Sequence, residues 1–300
     1  MQTDVQTAII GGGIVGASVL YWLAKLGHTD TVLIERRELT SGSTWHAAGN
    51  TTYFGPYPAM TRLFAGSIRT YQQAEAESGQ SIGFHQTGSL RVAATPRELE
   101  QFHAFSPRYQ DLGIPYHIRT PEQVAELHPL VDVSAIYGAA HTPTDGHVDP
   151  TGATQACAQA ARKLGASIER HRPVTELYKR DNIWVIATEK GEITAQNVVM
   201  AASFWSRELL APIGLNVPLY ATQHHELITE PIPELAGRKG EIPALRDSYA
   251  SCNIRQEGQG LLVGIYETEP KFWALDGIPK EFAEDLFPLK QIACYRISNG

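Results

Sequence analysis

The sequence predicts an α/β fold that opens on a Rossmann-like parallel sheet, and three features of its first forty residues predict it. An apolar, β-branched run ends at Ile10, glycines stand at 11, 13 and 16, and a helical stripe leads into a second strand that ends at Glu35. Val5 to Ile10 reads as a strand buried on both faces, as a central strand of a parallel sheet must be. Gly11 permits a tight turn, Gly13 lets backbone approach a pyrophosphate, and Gly16 lets the following helix pack on the strand. The helix N-terminus then supplies N–H donors to phosphate. Ile14, Val15, Val19, Leu23 and Leu26 recur at helical spacing, and Gly27 sits where a residue just past a helix adopts positive φ. Thr31 to Ile34 forms the next strand. Glu35, roughly twenty residues past the last glycine, is placed to accept hydrogen bonds from a ribose hydroxyl pair. A dinucleotide is the ligand this arrangement implies.

The uncharged run between Asp4 and Lys25 also looks like a signal peptide or a short membrane helix. No basic region precedes it, and glycines at 11, 12, 13 and 16 would break an apolar helix, so strand, turn and helix is the better reading. The 300 residues carry 25 Lys plus Arg against 32 Asp plus Glu, a net charge of −7 with no basic block, which excludes a nucleic-acid partner. Cys157, Cys252 and Cys294 are odd in number and contain no CxxC pair, so neither a disulfide framework nor a metal site is expected. The thiols suit a reducing compartment. No targeting signal is evident, which makes the cytoplasm the default location.

After Glu35 comes a loop of small residues, and its sequence SGSTWHAAGN spans 41–50. Such a loop gives a long, flat cofactor room to lay its ring system against backbone, whereas NAD proteins more often continue into another βα unit. Together, GGGIVG at 11–16, Glu35 and SGSTWHAAGN resemble the dimethylglycine and sarcosine dehydrogenases, flavoproteins within the D-amino-acid-oxidase-like superfamily. The resemblance implies FAD, joined covalently to His46 through the flavin 8α-methyl carbon. It places Gly11, Gly13, Gly16, Glu35, Arg36, Ser43, Thr44, Ala48 and Gly49 at the cofactor. The residue chemistry is compatible: a neutral imidazole nitrogen is nucleophilic, and Gly42, Ala47, Ala48 and Gly49 leave room for a ring edge. Such a link withdraws electron density from the flavin and should raise its reduction potential.

Further along, Thr87 to Arg91 and Asp145 to Pro150 match the family's TGSLR and DGHVDP segments. An alanine-rich helix, Thr151 to Leu164, carries Ala156, Cys157, Ala160, Ala161 and Leu164 on one stripe and reads as structural. Val174 opens a strand, DNIWVIAT and the turn at Lys190-Gly191 predict a hairpin, and Asn197 to Ala202 reads as a buried strand. In this superfamily such a meander hangs off the cofactor sheet, which implies cofactor contacts at Val174, Ala202 and Trp205. The chain departs from the family's AAGxW by placing Ser203 where backbone crowding favours glycine.

The run TQHHELIT, 222–229, is strand-like, so His224 and His225 point to opposite faces and only one can face the flavin; both are catalytic candidates. LRD at 245–247, RQE at 255–257, GLLVG at 260–264 and YE at 266–267 also match family motifs. Several relatives place a tyrosine where this chain has Ser251-Cys252-Asn253. Arg255 is the candidate for bidentate pairing with a substrate carboxylate. His103 and His128 lie in polar helical stretches and read as solvated.

The resemblance implies an α/β (α+β) architecture of interleaved parts. An FAD-binding Rossmann-like parallel sheet with a β-meander is drawn from 1–78 and 147–222, and a mostly antiparallel substrate-facing sheet from 79–146 and 223–288. Residues 289–300 match nothing in the family, whose members continue with a segment covering the flavin and then a folate-binding half. A truncated chain is therefore expected, with no folate site of its own. The activity implied is oxidation of N-methyl amino acids by hydride transfer to flavin, with electrons passing to an external acceptor and no membrane partner. Relatives in eukaryotes are mitochondrial. The alternative is an inactive remnant, or an FAD-binding subunit completed by another chain.

Overall fold

In the computed structural model, residues 3–267, 269–279 and 282 are described. The 289–300 tail and Cys294 lie outside them. The chain builds two main sheets. The first has six strands in the order Ser167–Glu169, Thr31–Ile34, Asp4–Ile10, Ile193–Met200, Ile183–Thr188 and Val174–Arg180. The first four run parallel, and the last two return antiparallel as a meander. This is the Rossmann-type sheet, with Asp4–Ile10 near its centre.

Helix Ile14–Lys25 covers one face and packs against helix Pro150–Lys163. Alanines at 156, 160 and 161 let the two axes come close, and Ile9, Leu20, Tyr21 and Cys157 fill the space between helices and sheet. The expected stripe on the first helix is rotated. Val15 is 62% exposed and Leu26 70%, while Ala17, Leu20, Tyr21 and Ala24 are buried. Both sets have helical spacing; close approach at Gly16 turns the small-residue side inward. Leu164 likewise leaves its predicted stripe, becoming the exposed C-cap of the second helix. Leu26 ends the first helix and Gly27 follows with φ of +90°.

The strand expected at 197–202 is Ile193–Met200, and it serves two roles at once. One edge closes the meander against Ile183–Thr188 and the other runs parallel to Asp4–Ile10. Its buried residues are Ile193 and Ala195, whereas Asn197 is exposed. Burial falls toward the carboxyl end because Met200, Ala201 and Ala202 border a cleft.

The second sheet has seven strands, in the order His225–Ile228, Gly260–Ile265, Cys252–Glu257, Ala244–Asp247, Ser89–Ala93, Gly138–Thr142 and His117–Arg119. All neighbours are antiparallel except Ala244–Asp247 with Ser89–Ala93. Leu90, Val92 and Leu245 on its rear face pack with Val124 of helix Pro121–Leu127. That helix ends at His128, which is buried rather than solvated, at 2% exposure. The polar residues before it cover the outer face, while His128 turns inward as the C-cap in extended conformation. Neither ring nitrogen finds a partner among the described residues, and burial pushes its pKa down to about 4. His103 is exposed. Among the described residues, no helix is long and apolar enough to cross a membrane.

Candidate functional site

Ile10, Ile34 and Met200 end three parallel strands at the mouth of a cleft of about 1500 Å³ that runs from the first sheet to the second. Ordinary small-molecule pockets hold roughly 300–1,000 Å³, so the space suits a ligand as long as a dinucleotide. Its floor is made of backbone. Gly11 has φ of +113°, and a Cβ there would collide with the Ala201 carbonyl. A Cβ on Gly16 would collide with the Gly11 carbonyl, so Gly16 lies beneath the wall rather than on it. Gly11, Gly13, Glu35, Arg36, Ser43, Thr44, His46, Ala48, Gly49, Val174, Ala202 and Trp205 all line the cleft.

The Glu35 carboxylate accepts from the Gly12 N–H at 2.7 Å and the Arg37 N–H at 2.8 Å, which sets the glycine turn against the end of the second strand. Thr44 Oγ1 accepts from the Ile14 N–H at 3.1 Å, drawing the small-residue loop over the helix N-terminus. Arg36 stacks its guanidinium 4.2 Å from the centre of the Trp205 ring, and burial lowers its pKa. The Trp205 Nε1 is buried with no acceptor among the described residues. Ser203 adopts φ of +50°, the left-handed region that glycine takes without strain. Its Oγ lies 2.8 Å from Ser43 Oγ, so the hydroxyl that accompanies the unfavoured Cβ ties the meander side to the loop.

His46 is exposed to the cleft and stacks on Trp45 with ring centroids 4.0 Å apart. Its Nδ1 stands 3.0 Å from the Gly42 carbonyl oxygen. A carbonyl only accepts, so Nδ1 carries the proton and Nε2 keeps its lone pair. The loop is held from both sides: a Cβ on Gly49 would collide with the Val148 carbonyl, and Asn50–Thr51 pairs with Gly146–His147. Arg255 supplies a further clamp. Its Nε donates to the Ala48 carbonyl at 3.0 Å, and Nη1 donates to the Gln256 carbonyl at 3.1 Å and to Glu257 at 2.6 Å. Arg255 was expected at the substrate; its Nε and Nη1 are engaged by these contacts, and it is not among the residues that line the cleft.

The 222–229 run is not one strand. Ala221–Thr222 and His225–Ile228 belong to different sheets, with Gln223 and His224 between them. His224 and Glu226 line the cleft and His225 does not. The His224 ring stacks on Tyr266 at 4.6 Å. Both imidazoles share one carboxylate: Glu267 lies 3.8 Å from Nδ1 of His224 and 3.2 Å from Nδ1 of His225. Glu226 keeps contact with solvent through the open cleft, yet the surrounding walls desolvate it and raise its pKa, against the opposing charges of His224 and Arg255.

Glu226, Asn253 and Tyr266 were not singled out from sequence, although the two-residue alternation from His224 points to Glu226. The TGSLR and DGHVDP segments meet at Asp145. This buried carboxylate accepts from Ser89 Oγ at 2.6 Å, Thr52 Oγ1 at 2.8 Å and the Tyr53 N–H at 2.8 Å. Burial pushes its pKa up to about 6. Where no metal site was expected, His85, His147 and Glu241 gather behind the loop. The carboxylate bonds His85 Nδ1 at 2.6 Å and His147 Nε2 at 2.9 Å, a clasp between three distant segments.

The DAO family, described as FAD dependent oxidoreductase, matches residues 6–294. The mitochondrial dimethylglycine dehydrogenase of Mus musculus is 44% identical over 288 residues, covering 94% of this chain and 33% of that protein. The mitochondrial sarcosine dehydrogenase of Homo sapiens is 33% identical over 300 residues, covering 96% of this chain and 32% of that protein. Among solved structures, L-proline dehydrogenase from P. horikoshii aligns with a TM-score of 0.78 at 29% identity, covering 88% of this chain and 70% of that one. The chain spans about a third of the length of the curated relatives it matches.

Proposed function

The chain belongs to the DAO family of FAD-dependent oxidoreductases, and from that premise we propose that it oxidises N-methyl amino acids of the dimethylglycine and sarcosine type. The cleft would hold FAD, with His46 as its point of attachment. The carrying observation is the His46 loop: it closes over a glycine turn, is clamped on both flanks, and presents an imidazole whose Nε2 lone pair is free. In this reading 1–78 and 147–222 form the FAD-binding part, and 79–146 and 223–288 the substrate-facing part.

The glycine turn and the first N–H groups of helix Ile14–Lys25 receive the pyrophosphate. Glu35 exchanges part of its bonding to Gly12 and Arg37 for a ribose diol. Val174, Ala202 and Trp205, which line the cleft, would border the remainder of the cofactor. Bound FAD would supply the two-electron acceptor for the C–H bond beside the amine nitrogen. The protein's part is to deliver that amine uncharged. Substrate ammonium groups lose their proton only above neutral pH, so a base at the cleft wall lowers the cost. His224 takes the role, oriented by stacking on Tyr266, with the Glu267 carboxylate 3.8 Å from its Nδ1.

The test is direct. The full chain produced in flavin-replete cells should give a yellow pellet after acid precipitation, and His46→Ala should give a colourless one while retaining its fold by circular dichroism. A colourless wild-type protein, or acid-stable flavin in His46→Ala, would refute the attachment. The activity itself is checked by dye reduction with dimethylglycine and sarcosine.

A further inference from the structure

A side-chain cluster outside the cleft brings three ligand-type groups to one point. His85 Nδ1 lies 2.6 Å from one oxygen of Glu241, and His147 Nε2 lies 2.9 Å from the other. Their ligand atoms all stand within 4.8 Å of one another. The three residues come from segments far apart in the chain, and none of them lines the cleft. The side chains of His85, His147 and Glu241 are 52%, 11% and 27% exposed, so the cluster opens to solvent on the His85 side and is walled on the His147 side.

Backbone contacts hold this arrangement in place. His85 and His147 form an antiparallel bridge, with N–H to carbonyl distances of 2.9 and 3.1 Å. Gly146 permits the approach, because a Cβ there would stand 2.1 Å from the His85 carbonyl oxygen. Gly146–His147 also pairs with Asn50–Thr51, the end of the loop that carries His46. Glu241 is placed by its neighbours: the Ile242 N–H donates to Gln256 Oε1 at 3.0 Å, and the Ala244 N–H to the Gly88 carbonyl at 3.0 Å. Ligands fixed by their own backbone are what a metal site needs in advance of its ion. Two imidazoles and one carboxylate are also the donor set of three-ligand zinc sites, with water in the fourth position. Magnesium and calcium ask for oxygen ligands throughout, and copper(I) for sulfur. With Zn–N of about 2.0–2.1 Å, ligand atoms of a tetrahedral ion stand about 3.3 Å apart, so the spacing here needs a shift of at most about 1.5 Å, which the half-exposed His85 ring can supply.

We propose that His85, His147 and Glu241 bind a divalent ion of the zinc type, which locks the base of the His46 loop to the second sheet. Each imidazole gives the ion the lone pair of the nitrogen that now faces the carboxylate, with its ring proton on the other nitrogen, and Glu241 turns from hydrogen-bond acceptor to metal ligand. The step is ligand exchange: the hydrated ion gives up three waters, no protein bond breaks and nothing is oxidised. His147 belongs to the strand pair that closes the loop, and Glu241 directly precedes Ala244–Asp247 of the seven-stranded sheet, so the ion joins the two. The ion's role is structural, because its three ligands stand outside the cleft. It does not depend on the amine-oxidation reading.

The untagged full chain, stripped with EDTA and dialysed, would be titrated with zinc chloride by calorimetry. One equivalent should bind, and zinc at about 100-fold above Kd should raise the Tm by about 5 °C. Cobalt chloride in its place should give the visible absorption of a nitrogen and oxygen site, whereas a thiolate charge-transfer band would assign the ion to a cysteine and overturn the proposal. His85→Ala and Glu241→Gln should each weaken binding by about 100-fold or more, since even the loss of residues that only support a metal's ligands costs about 10–100-fold. Glu241→Gln keeps a hydrogen-bonding side chain, so it separates a metal ligand from a partner in a plain clasp. His85 is exposed enough for its loss to leave the fold intact, which circular dichroism checks. Zinc should also slow proteolytic cleavage between residues 41 and 51 in the wild type and not in His85→Ala. Absence of a bound equivalent, or undiminished affinity in either variant, overturns the site. Zinc bound with loop cleavage unchanged overturns the lock.

Discussion

The two walls of the cleft are built from different materials. On the six-stranded side the ligand surface is backbone: a glycine turn, a helix N-terminus, and carbonyls at Gly11, Gly42 and Ala201. On the seven-stranded side it is side chains, among them His224, Glu226, Asn253 and Tyr266. A backbone wall tolerates no added atom because nothing in it can rotate aside. A side-chain wall tolerates exchange of its members, and through them it selects what binds.

The largest expected effect is the sharpest attempt to break that contrast. Gly16→Ala forces a Cβ into the Gly11 carbonyl, and overpacking at a backbone contact should cost about 3 kcal/mol. Urea denaturation should show that loss together with loss of bound flavin, whereas Asn253→Ala on the opposite wall should leave the midpoint nearly unmoved. Equal sensitivity of the two would erase the distinction.

A smaller effect belongs to the side-chain sheet. Replacing His128 by Leu removes two unsatisfied buried nitrogens and should stabilise the chain by about 2 kcal/mol. The gain depends on pH. The folded pKa, about 4, lies below the ordinary value, so protonation favours the unfolded chain. The wild type therefore keeps full stability above the unfolded pKa of roughly 6.5 and loses it as pH falls toward 4. His128→Leu should flatten that slope, and melting curves taken at pH 5 and pH 7.5 report the difference.

The smallest effect tests the exception on the backbone wall. In a Ser43→Ala background, where the hydroxyl contact is already gone, Ser203→Gly should gain about 1 kcal/mol by releasing a left-handed serine. No gain would mean that the loop relaxes around the Cβ.

The same contrast explains what could be read from the sequence. Gly11, Gly16, Glu35 and the 41–50 loop are local and their spacing is dictated by backbone geometry, so their places in or beneath the cleft wall follow from order along the chain. The side-chain wall depends on His225–Ile228 lying antiparallel to Gly260–Ile265, a pairing between segments well apart in sequence. No local pattern specifies that register. Arg255 is a cation in a family motif, but that its Nε and Nη1 are engaged depends on the Ala48 carbonyl and Glu257. His128 and the rotated first helix share a cause: a short polar or apolar pattern fits more than one helix face, and packing at Gly16 or at a helix end decides which turns inward.

The Arg255–Ala48 bond also has a bearing on timing. A chain emerging from the ribosome exposes its amino-terminal part first, yet the loop carrying His46 is clamped by residues 147, 241 and 255. While those residues are still inside the ribosome, the newborn glycine turn has no fixed imidazole beside it. Fixing of the His46 imidazole beside the glycine turn is therefore set late in biosynthesis, after the distal strands have folded back over the nascent first sheet.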